Sequence, residues 1–107
     1  MNVYLKDYDY GIYEEIETDS TSGEIIPFTS DFLDPEVGDY AGKQVKSVEC
    51  RLTGGSILYL LTGENPSDEF GIPLFENETL SIKGYGNISK FKGFFSGDAK
   101  LRVHYGY

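Results

Sequence analysis

The chain has 107 residues, 39% of them hydrophobic and 25% charged, so it is one domain's worth of folded protein, with no room for a second domain or for wholesale disorder. A formal net charge of −9 argues against nucleic acid as a partner, because affinity for phosphates comes mostly from Lys and Arg. Thirteen Gly, nine Tyr and seven Phe against two Ala favour strands and tight turns over helices.

In chain order, "NVYL" and "GIYEEI" read as strands, and "TDSTSG" as a turn. "EIIPF" is a short strand in which Pro27 has no N–H, which predicts a sheet edge or a strand end. "TSDFLDPEVGDYAG" is an irregular connection with one helical turn expected at residues 34–37, where Pro35 can open it. "KQVKSVECRL" alternates, with Val48, Cys50 and Leu52 on one face and Lys43, Val45, Glu49 and Arg51 on the other. "LTGGS" reads as a hairpin turn. "SILYLLTG" is a continuous apolar run, expected to be a central strand buried on both faces. "IPLF", "ETLSIKG" and "NISKFKGFF" follow as further strands, "SGD" as a tight turn, and "AKLRVHY" as a last strand. In that strand Leu101, Val103 and Tyr105 face the core, which turns Lys100, Arg102 and His104 outward.

Eight or nine short strands with turns between them predict a single antiparallel β-sandwich, jelly-roll-like, with an immunoglobulin-like sandwich as the alternative. Residues 43–107 supply the core strands. Residues 1–40 are acidic and irregular, a candidate assembly arm. Residues 1–39 carry eleven acidic residues and one basic residue, whereas residues 40–107 carry seven and eight. That third of the chain is either a solvated face or a docking surface for something basic.

Little in the sequence points to catalysis. Cys50 and His104 form the one Cys–His combination, and strand alternation sends them to opposite sides of a sheet. One Cys and one His cannot make a structural zinc site, and a lone Cys cannot form an internal disulfide. Asp31, Asp34, Glu36 and Asp39 do not match the spacing of an EF-hand loop, which leaves calcium binding by this acidic connection as the lesser alternative to a solvated loop, and "LTGGS" lacks the lysine of a phosphate-binding loop. No cofactor and no enzyme activity are expected. The start has neither the basic region nor the apolar run of a secretory signal, and no stretch is long enough to span a membrane, so synthesis in a reducing cytoplasm without a membrane partner is expected. "NET" at Asn77 and "NIS" at Asn87 are therefore read as chance matches to the glycosylation pattern. Tyr4, Tyr8, Tyr10 and Tyr13 are the candidate interface residues, since Tyr joins apolar area to a polar tip. The alternative for them is a platform for a glycan.

The last 50 or so residues carry a further signal. "GIPL" at residues 71–74 is followed by "ETLSI" at 78–82, "NISKF" at 87–91 and the alternating "AKLRVHY" at 99–105. This order resembles the C-terminal half of small β-sandwich proteins of tailed-bacteriophage virions. The resemblance implies a non-enzymatic structural protein of the particle, first a head decoration or auxiliary protein, otherwise a neck, tail or fibre component. It implies other virion proteins as partners, the major capsid protein first, with homo-oligomerisation and location in the virion. A carbohydrate-binding β-sandwich module is the alternative function.

Overall fold

The computed structural model describes residues 11–33 and 44–107. Eight strands and two short helices occur among them. The strands are β1 (Ile12–Glu17), β2 (Glu24–Pro27), β3 (Ser47–Thr53), β4 (Ile57–Leu60), β5 (Ile72–Leu74), β6 (Thr79–Lys83), β7 (Lys92–Phe95) and β8 (Lys100–Gly106). Helix α1 (Ser30–Leu33) follows β2, and α2 (Tyr85–Lys90) lies between β6 and β7. One sheet has the order β1-β8-β3-β6 and the other β2-β7-β4-β5, and every pairing is antiparallel.

This order is that of a jelly roll. The first strand pairs with the last, the second with the seventh, the third with the sixth and the fourth with the fifth. The chain is in effect one long hairpin, folded back at residues 61–71 and rolled into two stacked layers. Among the described strands, β4 and β5 alone are consecutive and share a sheet; the other consecutive strands lie in different layers. An immunoglobulin-type sandwich keeps its first two strands in one sheet, so this order excludes that alternative. It also corrects the expectation for "LTGGS". Gly54 and Gly55 do turn the chain, but they carry it from β3 in one sheet to β4 in the other and form no hairpin.

Alternation along the strands builds the core. Val48, Cys50 and Leu52 of β3 and Leu101, Val103 and Tyr105 of β8 all point into the sandwich and are buried. Phe28, Ile57, Leu74, Ile82, Phe91 and Phe95 join them. Residues 12–27 belong to this framework as β1 and β2, at one edge of each sheet. Pro27 ends the edge strand β2, a position that tolerates a missing N–H. The inward-facing Glu14 of β1 accepts hydrogen bonds from the Tyr105 hydroxyl and, at 2.7 Å, from Thr29 Oγ1. A carboxylate among apolar side chains is thereby satisfied, and β1 is tied to β8 and to the end of β2.

Three expectations about local structure change. Residues 87–90 are helical and not the start of a strand. Gly84, with φ of 89°, stops β6, and the Ile88 N–H donates to the Gly84 carbonyl at 3.1 Å. The one turn and a half of α2 drives the fully buried Ile88 into the sandwich beside β6 and β3. The strand begins afterwards, at Lys92. Val45 is also buried, ahead of β3 and not on its outer face. β4 lies inside its sheet as expected, yet Leu58 and Leu60 are only half-buried, because among the described residues no layer covers the outside of that sheet. The helical turn expected at 34–37, the strand "NVYL" and the acidic side chains of Asp34, Glu36 and Asp39 lie outside the described residues.

Candidate interaction surfaces

The two sheets present opposite chemistry to the outside. On the β1-β8-β3-β6 sheet, strand register sets out transverse rows. Tyr13, His104, Glu49 and Ser81 form one row, and Glu15, Arg102, Arg51 and Thr79 form the next. Ion pairs lace this face. Arg102 Nη1 meets Glu15 Oε2 at 2.6 Å, Lys100 Nζ lies 3.3 Å from Glu15 and 3.6 Å from Glu17, and Lys83 Nζ lies 3.2 Å from Glu49. The Tyr13 hydroxyl donates to Glu15 at 2.8 Å and accepts from Arg102 at 3.1 Å. That tyrosine bond and the adjacent Lys100 lower the Glu15 pKa, and the same tyrosine together with Glu15 raises that of Arg102. These groups are in water, so they order the face more than they stabilise the fold.

The outer face of the β2-β7-β4-β5 sheet carries an apolar row, with Lys92 in the adjacent row and Asp68, Ser56 and Ser96 at the groove beside it. Ile25 is opposite Phe94, Phe94 opposite Leu58, and Leu58 opposite Pro73, one residue from each strand in a single row. Ile25 is 38% exposed, and Phe75, just beyond β5, is 57% exposed. A shallow groove of about 270 Å³ runs between Leu58, Pro73, Phe75 and Phe94. The Phe94 ring lies over Gly23, where even a Cβ would fall 2.1 Å from the ring. Phe70 and Ile72, also about half exposed, extend the apolar surface along the β5 edge.

Of the four candidate tyrosines, Tyr4, Tyr8 and Tyr10 lie outside the described residues. Tyr13 is half-exposed on the charged face, its ring edge-on to His104 with centroids 5.4 Å apart. His104 is exposed on the outer face of β8, as alternation predicted, and Cys50 is buried on the inner face of β3. Thiol and imidazole thus sit on opposite sides of one sheet. Burial, with smaller contributions from Glu49 and Glu14, pushes the Cys50 thiol far above its ordinary value of 9.0, away from the reactive thiolate. Burial and the Glu14 bond likewise push Tyr105 far above 10.0. Among the described residues no cluster of His, Cys, Asp or Glu is placed to hold a metal ion.

The raised thiol and phenol give a pH prediction. Above about pH 9 the unfolded chain releases protons that the folded chain retains, so stability falls as pH rises. Each group contributes a slope of about 1.4 kcal/mol per pH unit between its unfolded and folded values. Urea midpoints measured from pH 8 to pH 10 should fall, and Cys50→Ala should flatten the decline that begins near pH 9. An unchanged slope in that variant would mean that the thiol is solvated.

Comparison with protein-family models, with curated proteins and with solved structures found no match to this chain. Two features of these surfaces escape sequence reasoning. The apolar row draws on four segments spread from residue 25 to residue 94, and the arginines Arg51 and Arg102 meet only through strand register.

Proposed function

We propose that this protein is a non-enzymatic structural component of a tailed-phage particle, in the first place a head decoration or auxiliary protein, and that it docks on other particle proteins through the outer face of the β2-β7-β4-β5 sheet. One observation carries the docking surface: the uncharged row Ile25–Phe94–Leu58–Pro73 crosses all four strands, while the opposite sheet is covered in ion pairs. Cores of protein interfaces are depleted of charge and rich in aromatic side chains, and this row has that composition. The particle reading rests on the resemblance of the C-terminal stretches. Those stretches form β5, β6, the α2–β7 junction and β8, three of them strands of the rolled hairpin's returning arm.

The test is cosedimentation with heads of the phage whose genome carries the gene, using the wild-type protein and Leu58→Glu. Leu58 is half-buried and outward, so the variant should keep its circular dichroism spectrum. It should bind at least about tenfold more weakly, as loss of an interface centre does. Wild-type protein left in the supernatant, or Leu58→Glu binding as wild type, would overturn the proposal. Genes for portal or capsid proteins are expected beside this one.

A further inference from the structure

The charged sheet face carries a groove on the side of the sandwich opposite the proposed docking surface. Between β1, β8, β3 and β6 lies an open groove of about 750 Å³, within the range of small-molecule sites. Its floor is main chain, for Cys50 and Val103 line it while their side chains are buried on the other side of the sheet. Arg51 and Arg102 are direct cross-strand partners, an arrangement in which like charges repel. Arg102 is neutralised by Glu15 at 2.6 Å. Arg51 is exposed and has no hydrogen bond or ion pair to any described residue, although acidic residues outnumber basic ones two to one in the chain. The protein thus keeps a cationic fork open on a face where it has paired the neighbouring cations.

The surroundings of Arg51 narrow the ligand. Thr79 is opposite it on β6, and Ser81, whose hydroxyl donates to Glu49 at 2.9 Å, is in the next row. Tyr13 and His104 close the other end with two aromatic rings, of which Tyr13 is half in solvent. A guanidinium fork suits a carboxylate, hydroxyls and Glu49 suit sugar hydroxyls, and an exposed ring suits the C–H face of a pyranose. A long polyanion such as nucleic acid is repelled by the chain's net charge of −9, whereas a short oligosaccharide carries few charges and can seat one carboxylate at the fork. We propose that the groove over Arg51, Arg102 and Tyr13 binds a carboxylated oligosaccharide, its carboxylate held between the two guanidinium groups and a sugar ring packed on Tyr13.

The experiment titrates the full chain, labelled with ¹⁵N, with tetragalacturonate and with 3′-sialyllactose, which separate a uronate from a sialate. Maltotetraose and lactose are the uncharged controls. At least one charged sugar should shift amides of β3 and β8 around Arg51 and Arg102 with a dissociation constant at or below about 1 mM, weakening as salt is raised. Arg51→Ala should weaken binding about tenfold or more, and Tyr13→Ala should weaken it comparably. Arg51→Lys should restore only part, since lysine keeps the charge without the fork. The proposal is overturned if neither charged sugar shifts the β3 and β8 amides at about 10 mM. It is equally overturned if the uncharged sugars bind as well, or if Arg51→Ala binds like the wild type. Capsid docking through the other sheet is unaffected by any of these outcomes.

Discussion

Replacing Phe91 with alanine should destabilise the protein by about 3–5 kcal/mol, the usual result of truncating a fully buried aromatic ring. Phe91 is 0% exposed, at the junction of α2 and β7. Its ring stacks on Phe28 with centroids 4.1 Å apart and planes 15° from parallel, and on Tyr59 at 6.0 Å. Phe28 in turn meets the edge of Tyr105, and Tyr105 meets Phe32 of α1. One ring therefore links β4, the end of β2, the helix–strand junction and, through Phe28, the β8 strand of the opposite sheet. Gly93 makes room for it: a Cβ there would lie 3.2 Å from the Phe91 ring and 2.7 Å from that of Phe95. The surrounding strands are held by hydrogen bonds, so the space left by alanine cannot collapse fully, and the cavity adds to the lost transfer energy. Domains of this size are stable by about 5–15 kcal/mol, so Phe91→Ala approaches the limit of folding. Urea unfolding is the measurement, with Phe91→Leu as the milder companion, expected to lose about half as much. A loss below about 1 kcal/mol for the alanine variant would mean that the ring stack is not part of the core.

Sequence patterns expose some parts of this fold and hide others for a physical reason. Strand alternation is local, so β8 could be read residue by residue: Leu101, Val103 and Tyr105 are buried and Arg102 and His104 exposed. The same holds for Val48, Cys50 and Leu52 of β3. Helix α2 was hidden because it is only one turn and a half long with a single buried residue, Ile88, too short for a helical stripe to show; read as a strand, that residue falls on the face opposite Phe91 and Phe95. Gly54 and Gly55 announce a turn, but whether a turn closes a hairpin or bridges two layers depends on partners far away in the chain. The candidate sites are non-local in the same way. Tyr13 could be singled out by type, but Arg51 and Arg102 are 51 positions apart and become neighbours only through the β3–β8 register. The apolar row is similar: Leu58 looked like core in a continuous apolar run, yet in the structure it is only half-buried on the outer face of β4.

The two faces complement each other under the proposals made above. A protein fixed to a particle through Ile25, Phe94, Leu58 and Pro73 turns its other sheet, with Tyr13, Arg51 and Arg102, away from that particle. The ordering of the charged face then has a use. Ion pairs among Glu15, Lys100, Arg102 and Glu17 contribute little stability in water, yet they hold the rim of the groove in place before a ligand arrives. Leu58→Glu and Arg51→Ala should therefore separate the two proposed activities, each weakening one and sparing the other.

Gly54→Ala should destabilise the protein by about 2–4 kcal/mol, although the change adds a single methyl group at an exposed position. Gly54 has φ of 77°, where a side chain is strained, and a Cβ there would fall 2.3 Å from the Asp98 carbonyl oxygen. That contact is between two crossings of the chain. Residues 54–56 carry it from β3 to β4, and residues 96–99 carry it back from β7 to β8. Because β3 pairs with β8 and β4 with β7, the two arches lie against each other at one end of the sandwich. A methyl group must push one arch off the other, and since the obstacle is main chain, no side-chain rotation relieves it. Gly97→Ala is the control. Its φ is 62°, and nothing lies within 4 Å of its would-be Cβ, so it should cost only the local conformational penalty of about 1 kcal/mol. The difference between the two variants in urea unfolding measures the contact itself. Equal losses would show that the arches do not touch. A larger loss for Gly54→Ala, with faster amide exchange at Ala99 and Lys100, would show that this packing closes the open end of the roll.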